Sequence, residues 1–379
     1  MCGVRVLIIT ESFLPHMNGV TGTVLHVTDY LQRHGFPTAV IAPGSRPQHA
    51  DVDGLLVHRL RSIAMPGYPQ VRVSTALGST VARAIHAERP DVVHLASPLL
   101  LGWHAVKACQ QLGIPTVAVY QTDIPEYASR YGMPGLEAVA WSHVARLHRR
   151  ATLTLAPSTH STRQLEAAGV PRVARWGRGV DTELFTPGRR DPLWRARIAP
   201  AGERIIGYVG RLAPEKQVAD LRALADIPGT VLVVIGDGPD RSRLQAELPS
   251  ARFLGHLSGP HLARAVASLD VFVHPGESET FCQTIQEAHA SGVPVVSVGS
   301  GGPVDLVDGG RDGWLYTPGN LREGRARLRD LVGDPRKAHA MGAAGRAKVE
   351  HRTWGAVCAQ LVGYYQQAMA SSDATMRTR

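Results

Sequence analysis

The chain alternates from end to end between short apolar runs and segments with helical spacing. Runs such as RVLIIT at 5–10, TVAVY at 116–120 and TVLVVIG at 230–236 show no polar alternation. Strands of that kind are buried on both faces, as in a parallel sheet covered by helices. The intervening segments place apolar residues one helical turn apart, as at Val24, Val27 and Leu31. The first half reads as strands at 5–10, 37–42, 55–59, 91–95, 116–120, 153–156 and 173–176. Helices are expected at 23–34, 75–88, 101–112, 137–150 and 159–168. A stretch rich in Gly, Pro and Arg, 177–200, interrupts the pattern. Strands then resume at 204–210, 230–236, 251–254, 271–274, 295–298 and 313–316. Two such halves predict an α/β protein with two Rossmann-like, doubly wound sheets. The expected domains are 1–180 and 201–353, joined by a linker at 181–200. A last helix over 354–370 is expected to pack back onto the first domain.

Composition narrows the class. The 379 residues suffice for two cores. No apolar run approaches the roughly 18 residues that span a bilayer. The opening MCGVRVLIITESF runs from one Arg through a short strand into Glu11 and has no small-residue cleavage site, so a cytoplasmic protein is expected. Cys2, Cys109, Cys282 and Cys358 are scattered without metal-ligand spacing, which predicts free thiols and no structural zinc. The net charge of +9 is uneven: residues 1–180 hold 17 basic against 10 acidic side chains. No aromatic-interleaved basic stripe accompanies it, so nucleic acid is not the expected partner. An acidic substrate or an anionic membrane surface remains, as does a merely solvated face.

Two segments carry the chemistry. GESETFCQTIQEA at 276–288 follows a strand and spaces two carboxylates, Glu279 and Glu287, with seven residues between them. A helix beginning at Thr280 or Phe281 would leave Glu279 in the loop at its positive end and carry Glu287 two turns on. The two acceptors are then about 10–12 Å apart, too far for one acid/base pair on a single bond. That separation suits one carboxylate on a sugar and the other on a ribose, with a diphosphate at the helix start. RLAPEK at 211–216 follows Gly210 at a strand end and sets Arg211 and Lys216 across a turn. A planar guanidinium and a point-charge ammonium together suit a diphosphate.

The first half offers a facing set. Asn18-Gly19 precedes a helix, where glycine lets backbone N–H groups approach an anion. It is not GxGxxG, so a dinucleotide fingerprint is absent. A polar loop after 116–120 holds Gln121, Asp123, Glu126 and Tyr127, at a place where open α/β sheets bind ligands.

GRLxxEK at 210–216, IGDGP at 235–239 and E-x7-E at Glu279/Glu287 resemble glycosyltransferase family 4, over essentially the full length. DVVHLASP at 91–98, AVYQTD at 118–123 and GESETFCQTIQEA look narrower still, like GDP-mannose-dependent alpha-mannosyltransferases of actinobacteria. The resemblance implies a GT-B fold, two domains facing a cleft, and a retaining transfer. By it, Arg211 and Lys216 bind the donor diphosphate and stabilise the leaving nucleotide, and Glu287 holds the ribose. Glu279 takes the hexose hydroxyls, with the N–H groups of Thr280, Phe281 and Cys282 on sugar or phosphate oxygens. Gly19 meets the diphosphate from the other domain, Gly210 belongs to the donor site, and the base lies near Gly236–Gly238 and Leu254–Leu257. Many relatives have His where this chain has Gln121, which can hydrogen-bond a hydroxyl but cannot titrate. Asp123 is then the group to orient the acceptor. No cofactor and no metal are expected, because the cations do the electrostatic work; Asp51 and Asp53 precede a short strand and form no metal-holding pair in a cleft loop. The implied partners are a nucleotide-sugar donor, GDP-mannose first, and a lipid-linked acceptor, with peripheral contact to an anionic membrane. A UDP-sugar with a small soluble acceptor or diacylglycerol is the alternative. A sugar-nucleotide epimerase of similar architecture is a remoter one.

Overall fold

The computed structural model describes residues 3–46, 48–52, 54–65, 68–121 and 136–377. They form two compact units. One comprises residues 3–121, 136–178 and 354–377 among those described, and the other 179–353.

In the first unit the strands run β1 (Val6–Thr10), β2 (Thr38–Gly44), β3 (Gln48–Val52), β4 (Leu55–Met65), β5 (Tyr68–Ser74), β6 (Val92–Ala96), β7 (Thr116–Val119), β8 (Leu153–Ala156) and β9 (Val173–Arg175). Their order is β3-β4-β2-β1-β6-β7-β8-β9, with β5 on β4. All pairs are parallel except β3–β4 and β4–β5. Side chains alternate across each strand. Val6 and Ile8 enter one core with the helix Gly19–Arg33, while Leu7 and Ile9 enter another with helix Leu100–Leu112. Burial on both faces explains the unbroken apolar runs.

The last helix, Trp354–Arg377, belongs to this unit. Val357, Cys358, Leu361 and Tyr365 sit in the core beside Val6 and Val92. Trp176 Nε1 donates to the Val357 carbonyl (2.9 Å), and the Tyr365 hydroxyl lies 2.6 Å from His94 Nδ1.

The second unit holds β10 (Arg204–Val209), β11 (Thr230–Ile235), β12 (Arg252–Gly255), β13 (Val271–His274), β14 (Val295–Val298) and β15 (Gly313–Tyr316). They are parallel, in the order β12-β11-β10-β13-β14-β15. Ile205, Val233 and Phe272 face one core; Ile206, Val234 and Val271 face the other.

The structure departs from expectation at several points. The strand expected at 55–59 is the eleven-residue β4, which pairs antiparallel with β3 and β5 and parallel with β2. Asp51 precedes β4 as expected, but lies within a further short strand, β3. The first helix starts at Gly19, not at residue 23, because the Asn18 side chain caps it by accepting from the N–H groups of Val20 and Thr21. Residues 181–200 do not hang free between the units. They hold a short helix, Pro192–Ile198, and Phe185 and Trp194 are buried in the second core. Arg190 and Arg195 clamp the two oxygens of Asp270 there, at 2.7 and 2.9 Å.

Candidate active site

In the second sheet β10 lies between β11 and β13. The chain leaves β10 to one side and later returns on the other. The chain therefore leaves β10 and β13 in opposite directions, and the carboxyl ends of two such strands are where open α/β sheets take ligands. RLAPEK follows β10, IGDGP extends from β11 and GESETFC follows β13, so the topology brings three sequence motifs to one sheet end.

Short contacts fix these loops. The Tyr208 hydroxyl donates to the Arg211 carbonyl (3.1 Å), and its ring stacks on His274 with centroids 6.0 Å apart. Pro214–Lys216 forms a 3₁₀ turn, and Glu215, buried beneath it, lies 3.7 Å from the Arg211 guanidinium. The Gln217 side-chain oxygen accepts from the Glu277 N–H (2.8 Å), tying the β10 loop to the β13 loop. Gly236, at φ 139°, packs so tightly that a Cβ would lie 1.9 Å from the Gly210 carbonyl oxygen; at Gly238 it would lie 2.2 Å from that of Leu212. Leu257 is half-buried beyond β12 and packs on the core.

Lys216 and Glu279 meet directly: Nζ donates to Oε1 at 2.6 Å, and His274 Nε2 lies 3.1 Å from the same oxygen. Burial raises the Glu279 pKa, but the Lys216 ammonium and the His274 ring outweigh it and hold the carboxyl well below its usual range. Burial likewise pulls His274 down, yet the Cys282 sulfur and the Glu279 carboxylate bring it up to about 9. A raised histidine stabilises the fold fully below its unfolded pKa of 6.5 and loses that contribution as pH rises through about 9. The thermal stability of the native protein is therefore expected to fall between pH 7 and pH 10, on the order of 2–3 kcal/mol. His274→Gln should flatten that slope in melts recorded across the same range; an unchanged slope would show the proton to be elsewhere.

The helix carrying Glu287 runs Gln283–Ala290, later than expected. Cys282 has φ 77°, a left-handed backbone that cannot continue an α-helix, so the helix begins only after it. Glu279, Thr280, Phe281 and Cys282 all lie in the preceding loop, and the helical rise does not measure the Glu279–Glu287 separation. Glu287 is half-buried on the second helical turn. Phe281 and Cys282 turn their side chains into the core. The loop rests on a second glycine pair, since Gly302 N–H donates to the Glu279 carbonyl at 2.7 Å.

His274, Glu279 and Cys282 bring a nitrogen, an oxygen and a sulfur within 4.8 Å of one another, a set that suits a soft divalent ion. The Lys216 ammonium already occupies the Glu279 oxygen.

On the first unit the loops after β1 and β7 bring Gly19 and Gln121 to one guanidinium. A Cβ at Gly19 would lie 2.9 Å from Arg178 Nη1, and Arg178 Nη2 donates to Gln121 Oε1 at 3.4 Å. Asp123, Glu126 and Tyr127 lie outside the described residues, as do Cys2 and Asp53.

Comparison with known proteins decides the family. Residues 17–184 match the model described as Glycosyltransferase Family 4, and residues 191–348 match Glycosyl transferases group 1. A GDP-mannose-dependent alpha-mannosyltransferase of Mycobacterium tuberculosis is 48% identical over 377 residues, covering 97% of both chains. Its counterpart in Corynebacterium glutamicum is 40% identical, covering 97% of this chain and 90% of that one. The chain belongs to glycosyltransferase family 4. This transferase has the GT-B fold: it superimposes on a sucrose-phosphate synthase from Thermosynechococcus elongatus with a TM-score of 0.82, at 20% identity over 97% of this chain and 100% of the other. Anabaena HepE, in a complex with UDP and glucose, matches at TM-score 0.76 and 20% identity, covering 96% of this chain and 99% of that one.

Within the transferase, the RLAPEK cations and the spaced carboxylates are candidates from the sequence, and the structure sets His274, Glu215 and Gly302 against them and Arg178 against Gln121. His274 reads only as the end of an apolar strand, and Arg178 falls in the Gly-, Pro- and Arg-rich stretch that interrupts the pattern. Glu215 stands in the motif GRLxxEK, which is the one signal the sequence offers; its burial under Arg211 comes from the fold.

Proposed function

We propose that this transferase moves mannose from GDP-mannose to a lipid-linked acceptor of the glucuronosyl diacylglycerol or phosphatidylinositol mannoside type, with retention at the anomeric carbon. The observation that carries the donor is the 48% identity, end to end, to alpha-mannosyltransferases named for GDP-mannose. The 179–353 unit is the donor side. Arg211 and Lys216 take the diphosphate, Glu279 the hexose hydroxyls, Glu287 the ribose, and the Thr280, Phe281 and Cys282 N–H groups the remaining oxygens. Gly210, Gly236 and Leu257 shape the base-binding end. The other unit is the acceptor side, with Gln121 and Asp123 on the acceptor or sugar hydroxyls and Gly19 toward the diphosphate.

In the reaction the bond from the anomeric carbon to the β-phosphate oxygen breaks. A bond from that carbon to the acceptor oxygen forms on the same face, and the leaving phosphate takes the acceptor's proton. The catalytic task of the chain is to stabilise the charge growing on the diphosphate. Two cations at the β10 loop supply that without a divalent ion. The basic excess on residues 1–180 suits an anionic leaflet, at about 1 kcal/mol per nearby basic residue.

A second reading has one observation in its favour. Sulfoquinovosyl transferase SQD2 of Arabidopsis thaliana is 34% identical over 79% of this chain. A single assay separates the readings: GDP-mannose, UDP-glucose and UDP-sulfoquinovose, offered with lipid acceptors in anionic or neutral vesicles, with and without EDTA. The expected product is an alpha-mannosyl lipid formed from GDP-mannose alone, faster on anionic vesicles and indifferent to EDTA. Consumption of donor without acceptor would replace the reading with an isomerase or hydrolase.

A further inference from the structure

A cavity of about 250 Å³ opens on the first unit between residues 11–16, after β1, and residues 43–46, at the end of β2, with Gln48 of β3, Arg59 of β4 and Arg72 of β5 in its wall. It is on the carboxyl side of the parallel strands, where such sheets take ligands. Its size suits a single-ring headgroup rather than a whole nucleotide sugar.

The wall is cationic. Arg59 is half-buried, and its Nη1 and Nη2 donate to the carbonyls of Pro43 (3.2 Å) and Leu14 (2.6 Å). Its guanidinium lies 5.4 Å from the Phe13 ring centre. Those contacts aim the group but leave its charge unneutralised, and burial draws its pKa below the ordinary value. Arg72 is aimed by Ser62, with Nε on Oγ and Nη2 on the carbonyl, both at 2.9 Å. Arg46 stands exposed at the mouth. Among the described residues no carboxylate lies within 4.0 Å of these three guanidinium groups. Among the described residues the carboxylate in the lining is Glu11, and its Oε1 accepts from the N–H groups of Leu99 (2.8 Å) and Gly102 (2.9 Å). A fixed, half-buried and unneutralised guanidinium facing a headgroup-sized cavity calls for an anion.

We propose that this cavity is the acceptor's anion subsite, in which Arg59, with Arg72 and Arg46, takes the carboxylate or phosphate of an acidic headgroup. The proposal rests on the acceptor lying on this unit, and it makes acceptor charge a determinant of specificity. Arg59 binds the headgroup and takes no part in breaking the donor bond.

The test compares native protein with Arg59→Gln, Arg72→Gln and the exposed Arg46→Gln, using a glucuronosyl, a phosphatidylinositol-type and a neutral glucosyl lipid acceptor. Arg59→Gln is expected to raise KM for the acidic acceptor by about 10–100-fold, leave KM for GDP-mannose unchanged and abolish preference over the neutral lipid. Arg46→Gln, which carries no folding risk, should show a smaller change of the same kind. Whichever acidic lipid loses its advantage identifies carboxylate or phosphate as the group bound. Equal KM values for acidic and neutral acceptors in the native enzyme would overturn the subsite and leave the mannosyl transfer standing. If GDP-mannose is not a donor, that reading falls; binding of glucuronate or inorganic phosphate, measured by calorimetry and lost in the Arg59 and Arg46 variants, would still support the subsite, and no binding would overturn it.

Discussion

Lys216→Ala is expected to lower kcat 10²–10³-fold, about 3–4 kcal/mol of transition-state stabilisation. Two effects combine. The diphosphate loses a point charge as its negative charge develops, and Glu279 loses the ammonium 2.6 Å away that keeps it ionised in a buried place. Lys216→Arg should recover part of the rate, because a guanidinium restores charge but not the compact fit. Arg211→Ala should lower kcat less than Lys216→Ala and also raise KM for the donor, because Arg211 is more exposed and stands 3.7 Å from Glu215. Initial rates over a donor titration measure all three. A kcat for Lys216→Ala within tenfold of the native value would remove Lys216 from the chemistry.

Gly302→Ala should be nearly as damaging although residue 302 touches no substrate in the proposed scheme. An added Cβ would stand 2.4 Å from both Phe281 Cα and the Phe281 carbonyl oxygen. Both are backbone atoms, so no side chain can swing aside, and the loop holding Glu279 must move. Overpacking of this kind destabilises by about 1–3 kcal/mol. Displacing a catalytic group by about 1 Å costs about 10²-fold in rate. The control is Gly309→Ala, where nothing lies within 4 Å and both melting temperature and rate should hold. Equal behaviour of the two variants would show that the loop tolerates the shift.

Much of the fold was legible because its parallel strands are buried on both faces. RVLIIT and TVLVVIG can satisfy their apolar side chains in few other ways. The hairpins on β4 escaped notice because β3 is largely exposed and its residues lack an apolar signature. The late helix start escaped because the left-handed backbone of Cys282 is invisible in a residue type that normally avoids it. Of the candidate site, Arg211, Lys216, Glu279 and Glu287 can be singled out because each pair falls within one loop–helix segment, and the fold brings Lys216 to Glu279. His274 joins them only because β10 and β13 are sheet neighbours. Arg178 and Arg59 are set by chain-distant contacts with Gln121 and with the carbonyls of Leu14 and Pro43, which no local spacing encodes.

The return of Trp354–Arg377 to the first unit makes the protein a host with a guest sewn into it. The guest's two ends are pinned together, Val180 N–H donating to the Arg352 carbonyl at 2.8 Å. During synthesis, residues 179–353 can therefore complete their core while the host still lacks Val357, Leu361 and Tyr365. The unit begun first is therefore closed only after the unit inserted into it, once Val357, Leu361 and Tyr365 have been made.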